Sequence, residues 1–116
     1  MPRHRMVVLN NPVEGRDEEY HRWYDDVHVP EMLTLPMVSG AQRFDVGSGP
    51  RGGVTQRFAC IYDIEADPAE AMAAIQAALP SMTVSDAIDR EAVLSFFLTP
   101  RRDHVSAADG PGGDPA

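Results

Sequence analysis

Four stretches of the chain alternate between apolar and polar positions, which is the mark of a strand with one face buried. In Arg3 to Asn10, Val7 and Leu9 share one face and Met6 and Val8 the other. Ala41 to Val46 predicts a second strand, and Val54 to Ile64 a third, with Phe58, Cys60, Tyr62 and Ile64 on one face. Arg90 to Thr99 predicts a fourth, with Leu94, Phe96 and Leu98 in register. Two segments between them change to helical spacing. Glu18 to Val29 is the first, with Asp17 placed to cap it and Pro30 placed to end or kink it. Pro30 to Leu33 suits a further short turn, since proline fits a first helical position. The second helix starts at Pro68 after an Asp67 cap, carries Met72, Ile75 and Leu79 as its apolar stripe, and stops at Pro80.

The order is β-α-β-β-α-β. It predicts an α+β, ferredoxin-like fold: a four-stranded antiparallel sheet with two helices on one face. Strands three and four carry apolar residues on both faces, as in Ala59 and Ile61 against Phe58 and Tyr62. The helices cover one face only, so the other needs a second layer, and a second copy of the same sheet supplies it as a homodimer. Residues 1–100 are expected to form the single domain and residues 101–116 a flexible acidic Gly/Pro-rich tail. The glycine-rich GSGPRGG segment reads as a hairpin loop: it lacks the Gly-Lys-Ser/Thr ending of a phosphate cradle.

Stepping the first helix at about 100° per residue puts Tyr20, Trp23, Tyr24 and Val27 on one stripe facing the sheet. His21, Asp25 and His28 then fall together on its flank, at the border between core and water, where a cleft between helix and sheet would open. Arg22, Asp26 and Glu19 point to solvent. Histidine titrates near working pH, and a carboxylate three residues away can fix its tautomer. The expected chemistry is general acid/base catalysis by His28, polarised by Asp25. Tyr24, Trp23 and His21 line the pocket, and Arg43 and Tyr62 are further substrate-binding candidates. The plainer explanations are an ordinary amphipathic flank for the His/Asp set, solvent-exposed strand arginines for Arg43 and Arg57, and a core position for Tyr62. Metal binding by His21, Asp25 and His28 fits the spacing but lacks an H-E-x-x-H pattern, and no metal or cofactor is expected.

A net charge of −8 excludes nucleic acid and anionic membrane surfaces as expected partners, because both require a basic face. No stretch approaches the roughly 18 apolar residues of a membrane helix, and the basic start MPRHR leads into too short an apolar run for a signal peptide. The single cysteine, Cys60, allows no internal disulfide and reads as a buried strand thiol. A cytoplasmic protein with a small-molecule substrate is the expectation.

Trp23-Tyr24-Asp25-Asp26-Val27-His28-Val29-Pro30-Glu31, followed by a turn and Arg43-Phe44, resembles the EthD-like members of the dimeric α/β-barrel superfamily. The likeness runs over most of residues 5 to 99 and is strongest from 20 to 44. It implies two ferredoxin-like subunits packing their sheets into a barrel. It also implies cofactor-free chemistry on small cyclic or aromatic molecules, with His28 as the matching functional histidine. The sequence departs from the pattern in its LPMVSG turn, where relatives often place glycine directly after the proline, and in its glycine-rich tail. The expected function is a cofactor-independent isomerase or dehydratase acting on a lactone or polyketide-like metabolite. The alternatives are a non-catalytic ligand-binding accessory dimer and a cofactor-free monooxygenase.

Overall fold

A computed structural model describes residues 4–109. Four strands, β1 (His4–Asn10), β2 (Val38–Asp45), β3 (Phe58–Ile64) and β4 (Leu94–Leu98), form one antiparallel sheet in the order β2-β3-β1-β4. Helix α1 (Asp17–Trp23) runs on through a π turn (Tyr24–His28) into α2 (Val29–Met32). Helix α3 (Pro68–Ala78) follows β3. The element order and the antiparallel pairing are those of the ferredoxin-like unit. Among the described residues, no helix is long and apolar enough to cross a membrane.

Register sorts the two sheet faces. Met6 and Val8 of β1, Phe58, Cys60, Tyr62 and Ile64 of β3, Ala41 of β2 and Phe97 of β4 belong to the core beneath the helices. Tyr20, Tyr24, Met32, Ala71 and Ile75 close that core from the helix side. On the opposite face Val7, Leu9 and Ala59 form a second, smaller cluster. Around it Phe44, Leu94, Phe96 and Leu98 are between 39% and 48% exposed, so this apolar face stands bare in the single chain.

Several elements differ from the periodicity. β2 starts at Val38, three residues earlier than expected, because a bulge between Val38 and Gly40 lets it pair on. At Gly40 a Cβ would stand 2.8 Å from Asp63 Oδ2, so a larger residue there would push the Asp63 carboxylate aside. β3 starts later, at Phe58 rather than Val54, and Arg90–Ala92 forms a single tight turn ahead of β4, with Asp89 accepting from Glu91 N at 3.1 Å. Asp67 caps α3 as expected, accepting from Ala69 N at 3.1 Å. Asp17 does not cap α1; its carboxylate accepts from Arg57 Nη2 at 2.8 Å instead. The buried stripe of α3 is Ala71 and Ile75, while Met72 and Leu79 are exposed.

Pro30 does not end the helix. Val29 donates its N–H to Tyr24 O, five residues back, and Leu33 N donates to Val29 O at 2.9 Å. A proline in a regular helix clashes with the carbonyl four residues before it. The wider π turn sits immediately ahead of Pro30 and relieves that clash. Arg3 and residues 110–116 of the expected tail lie outside the described residues. Within the rest of it, Ala107–Asp109 forms a short turn.

Candidate functional site

The π turn decides where the candidate residues go. Pairing five residues apart brings Trp23 and His28 onto one side, and their rings stack with centroids 4.7 Å apart and planes 16° from parallel. Tyr24 meets the same imidazole edge-on at 5.3 Å. At a uniform 100° per residue, positions five apart would lie about 140° apart and could not stack.

His28 is therefore held between Trp23 and Tyr24, and Asp25 is not its partner. This corrects the expected His28–Asp25 pair: Asp25 Oδ1 accepts from Arg43 Nη1 at 3.1 Å. The same guanidinium lies 4.4 Å from the Tyr24 ring centroid and 5.4 Å from that of Tyr20. Arg43 is thus no solvent-facing strand arginine. Its register partner on β3 is Cys60, on the core face, and its side chain is only 19% exposed. His21 packs edge-on against Phe58 at 4.5 Å. His21, Asp25 and His28 consequently do not come together as a metal-ligand set among the described residues.

Beneath Tyr24 the core is polar as well as aromatic. Tyr20, Tyr24 and Tyr62 are buried, as are Cys60 and Asn10, and the Tyr20 hydroxyl donates to Asn10 Oδ1. Burial pushes the Tyr24 phenol up to about 12 and raises Tyr20 and Tyr62 further, so all three are donors at neutral pH. Burial likewise raises the Cys60 thiol. It lowers the His28 imidazole, against a smaller upward push from the Glu31 carboxylate. His28 is therefore neutral near pH 7 and able to accept a proton.

Three buried side-chain polar atoms have no hydrogen-bond partner among the described residues: His28 Nδ1, Arg43 Nε and Tyr62 Oη. All three belong to neighbours of Tyr24. Buried polar atoms are nearly always paired, so three orphans around one side chain call for an explanation.

The sequence leads to His21, Trp23, Tyr24, Asp25, His28, Arg43 and Tyr62 but misses Asn10. Its signal is parity: Asn10 follows Met6 and Val8 at steps of two and so must face the core. The expected cleft between helix and sheet is closed by the three tyrosines. Two open grooves flank it. One, of about 220 Å³, is lined by His21, Arg43, Phe44 and Asp45. The other, of about 730 Å³, lies on the outer side of α1 and includes Trp23 in its lining.

No family model and no curated protein matches the sequence. Solved structures do. An EthD family protein from Bacillus halodurans superposes with a TM-score of 0.52 at 11% identity, over 84% of this chain and 96% of that one. An EthD-like protein from Ralstonia eutropha gives 0.52 at 16% identity, over 84% and 91%. A protein of unknown function from Nitrosomonas europaea gives 0.53 at 10% identity, over 92% and 97%. With its strand order, its helix placement and these likenesses together, the chain has the ferredoxin-like fold of the EthD-family and EthD-like proteins.

Proposed function

We propose that the chain is a cytoplasmic, cofactor-independent isomerase or dehydratase that works as a homodimer on a small cyclic or aromatic oxygenated metabolite, lactone or polyketide-like. The observation that carries this is the set of orphaned polar atoms around Tyr24, His28 Nδ1, Tyr62 Oη and Arg43 Nε; with its proton on Nε2, His28 offers Nδ1 as the acceptor, and the phenol and guanidinium offer donors. A base and two donors gathered about one side chain is the residue set that proton abstraction next to a carbonyl requires.

In this reading His28 Nδ1 takes a proton from the carbon beside the carbonyl. The electron pair moves onto the carbonyl oxygen, where Tyr62 and Arg43 donate hydrogen bonds to the enolate. Return of the proton to a different carbon completes an isomerisation. Loss of a β-hydroxyl, leaving as water with the proton His28 holds, completes a dehydration. Trp23 and Tyr24 supply flat apolar walls. Asp25 acts on Arg43, not on His28, by fixing the guanidinium over the two phenol rings. Because the tyrosines close the cleft, a ligand reaches these buried atoms only when Tyr24 moves aside, entering from the groove lined by His21 and Arg43.

The test is deuterium uptake. Lactones, cyclic ketones and polyketide-like enones are incubated with the protein in D₂O, and label beside the carbonyl is followed by NMR. One class should exchange, and His28→Gln should slow that exchange about 100-fold or more with the fold intact. A second reading has its own observation: the His28 ring is packed on two sides by Trp23 and Tyr24, as a structural residue would be. Under it the protein is a non-catalytic ligand-binding dimer. No compound then exchanges, and His28→Ala lowers the melting temperature.

A further inference from the structure

The 730 Å³ groove on the outer side of α1 takes no part in the proton chemistry above. It is lined by Glu19, Arg22, Trp23, Asp26 and Val27 from the helix and by residues of the connection that leads to β4, among them Val84, Asp86 and Arg90. Its size is that of a small-molecule site. The floor is apolar and fixed. Trp23 Nε1 donates to Thr83 O at 3.1 Å, and the Glu31 carboxylate accepts from Thr83 N at 3.0 Å and from its hydroxyl at 3.0 Å, so the indole is tied to the far wall. Val84 lies beside it, 63% exposed, an apolar side chain that the single chain leaves in water.

The charges in the groove are unevenly committed. Arg16 grips Glu19 at 2.6 Å and Asp86 at 2.8 Å, which takes two of the three lining carboxylates out of play. Arg16 also holds the Asp86 carboxyl below the ordinary range, with Arg90 a lesser contributor. Neither the Arg22 nor the Arg90 side chain makes an ion pair or a hydrogen bond among the described residues. The other arginines packed about α1, namely Arg16, Arg43 and Arg57, each hold a carboxylate. Asp26 is the lining carboxylate that Arg16 does not hold. A flat apolar floor with two guanidiniums at its edge complements a small molecule that has a ring and a carboxylate.

We infer that this groove binds a small apolar carboxylate, with its ring on Trp23, Val27 and Val84 and its carboxylate on Arg22 and Arg90. The site stands independently of the acid/base reading and shares only the Trp23 ring with it.

Trp23 is the only tryptophan in the chain, so its emission reports on the groove directly. The full-length protein is titrated with phenylacetate and with phenylacetamide, which keeps the ring and removes the charge. Phenylacetate should give a saturable change, and the amide should bind about tenfold or more weakly. Arg22→Gln and Arg90→Gln should each weaken the acid several-fold and leave the amide unmoved. Asp26→Asn should tighten the acid, because it removes the opposing carboxylate that Arg16 does not hold. All three positions are exposed, so the variants keep the fold. Equal affinity for acid and amide, arginine variants that bind as the wild type does, or no saturable change with phenylacetate would each overturn the inference. Deuterium exchange can fail while this binding persists, and the reverse, so the two proposals fall separately.

Discussion

Tyr20 and Tyr62 are both fully buried phenols, yet their hydroxyls are in opposite situations. Tyr20 donates to Asn10 Oδ1, itself buried. Tyr62 Oη has no partner. Deleting the first hydroxyl strands a carbonyl oxygen in the core, and Tyr20→Phe should destabilise the protein by about 1–3 kcal/mol. Deleting the second gives up only looser approaches to Tyr24 and Cys60, and Tyr62→Phe should cost less than Tyr20→Phe in the same urea titration. The comparison bears on function. If Tyr62→Phe keeps the fold and loses deuterium exchange, its hydroxyl serves a ligand. If it destabilises as much as Tyr20→Phe, the hydroxyl serves the core and the case for a donor opposite His28 weakens.

The π turn links helix geometry to pH. By stacking His28 on Trp23 it buries the imidazole and lowers its pKa. An unfolded histidine titrates at about 6.5. Between that value and the lower folded one the unfolded chain binds more protons, so stability rises with pH. His28's contribution is complete above about pH 6.5 and is lost as the pH falls towards the folded value. The Glu31 carboxylate offsets part of this. Melting temperature should therefore drop between pH 7 and 5 more steeply in the wild type than in His28→Gln, where only the remaining groups titrate. Parallel curves would mean that His28 is not desolvated.

That same turn marks the limit of what periodicity could reveal. Strand faces follow a period of two and the apolar ones were legible, while the polar Asn10 at a core position was passed over although the same parity places it there. The helix stripe was legible up to Tyr24. Beyond it a fixed 100° step rotates every position wrongly, so Asp25 is assigned to His28 when it belongs to Arg43. Pro30 was the visible cue to an irregularity, but a proline is equally compatible with a stop, a kink or a widened turn. The capping error at Asp17 has a similar origin. An N-cap and a salt-bridge partner use the same carboxylate, and only the fold brings Arg57 within 2.8 Å.

The two faces of the sheet have unequal fates. The helices seal one, while Phe44, Leu94, Phe96 and Leu98 surround Val7, Leu9 and Ala59 on the other. Arg5 and Asp63, 3.4 Å apart, lie at the border of this patch, giving an apolar centre with a polar rim. A chain of 116 residues buries too small a share of its surface to leave such a centre in water without loss of stability. A two-fold pairing of this face with its own copy buries the patch and leaves α1, the π turn and the outer groove exposed, with the smaller groove, which Phe44 helps to line, at its edge. The protein should therefore run at twice 12.7 kDa by light scattering at micromolar concentration. Phe96→Glu places a charge on the face without entering the core, and it should yield a folded monomer. If the wild type is itself monomeric, the face serves another partner. If Phe96→Glu stays dimeric, the subunits meet elsewhere. Ligand binding at the outer groove should survive the dissociation, because its lining comes from a single chain.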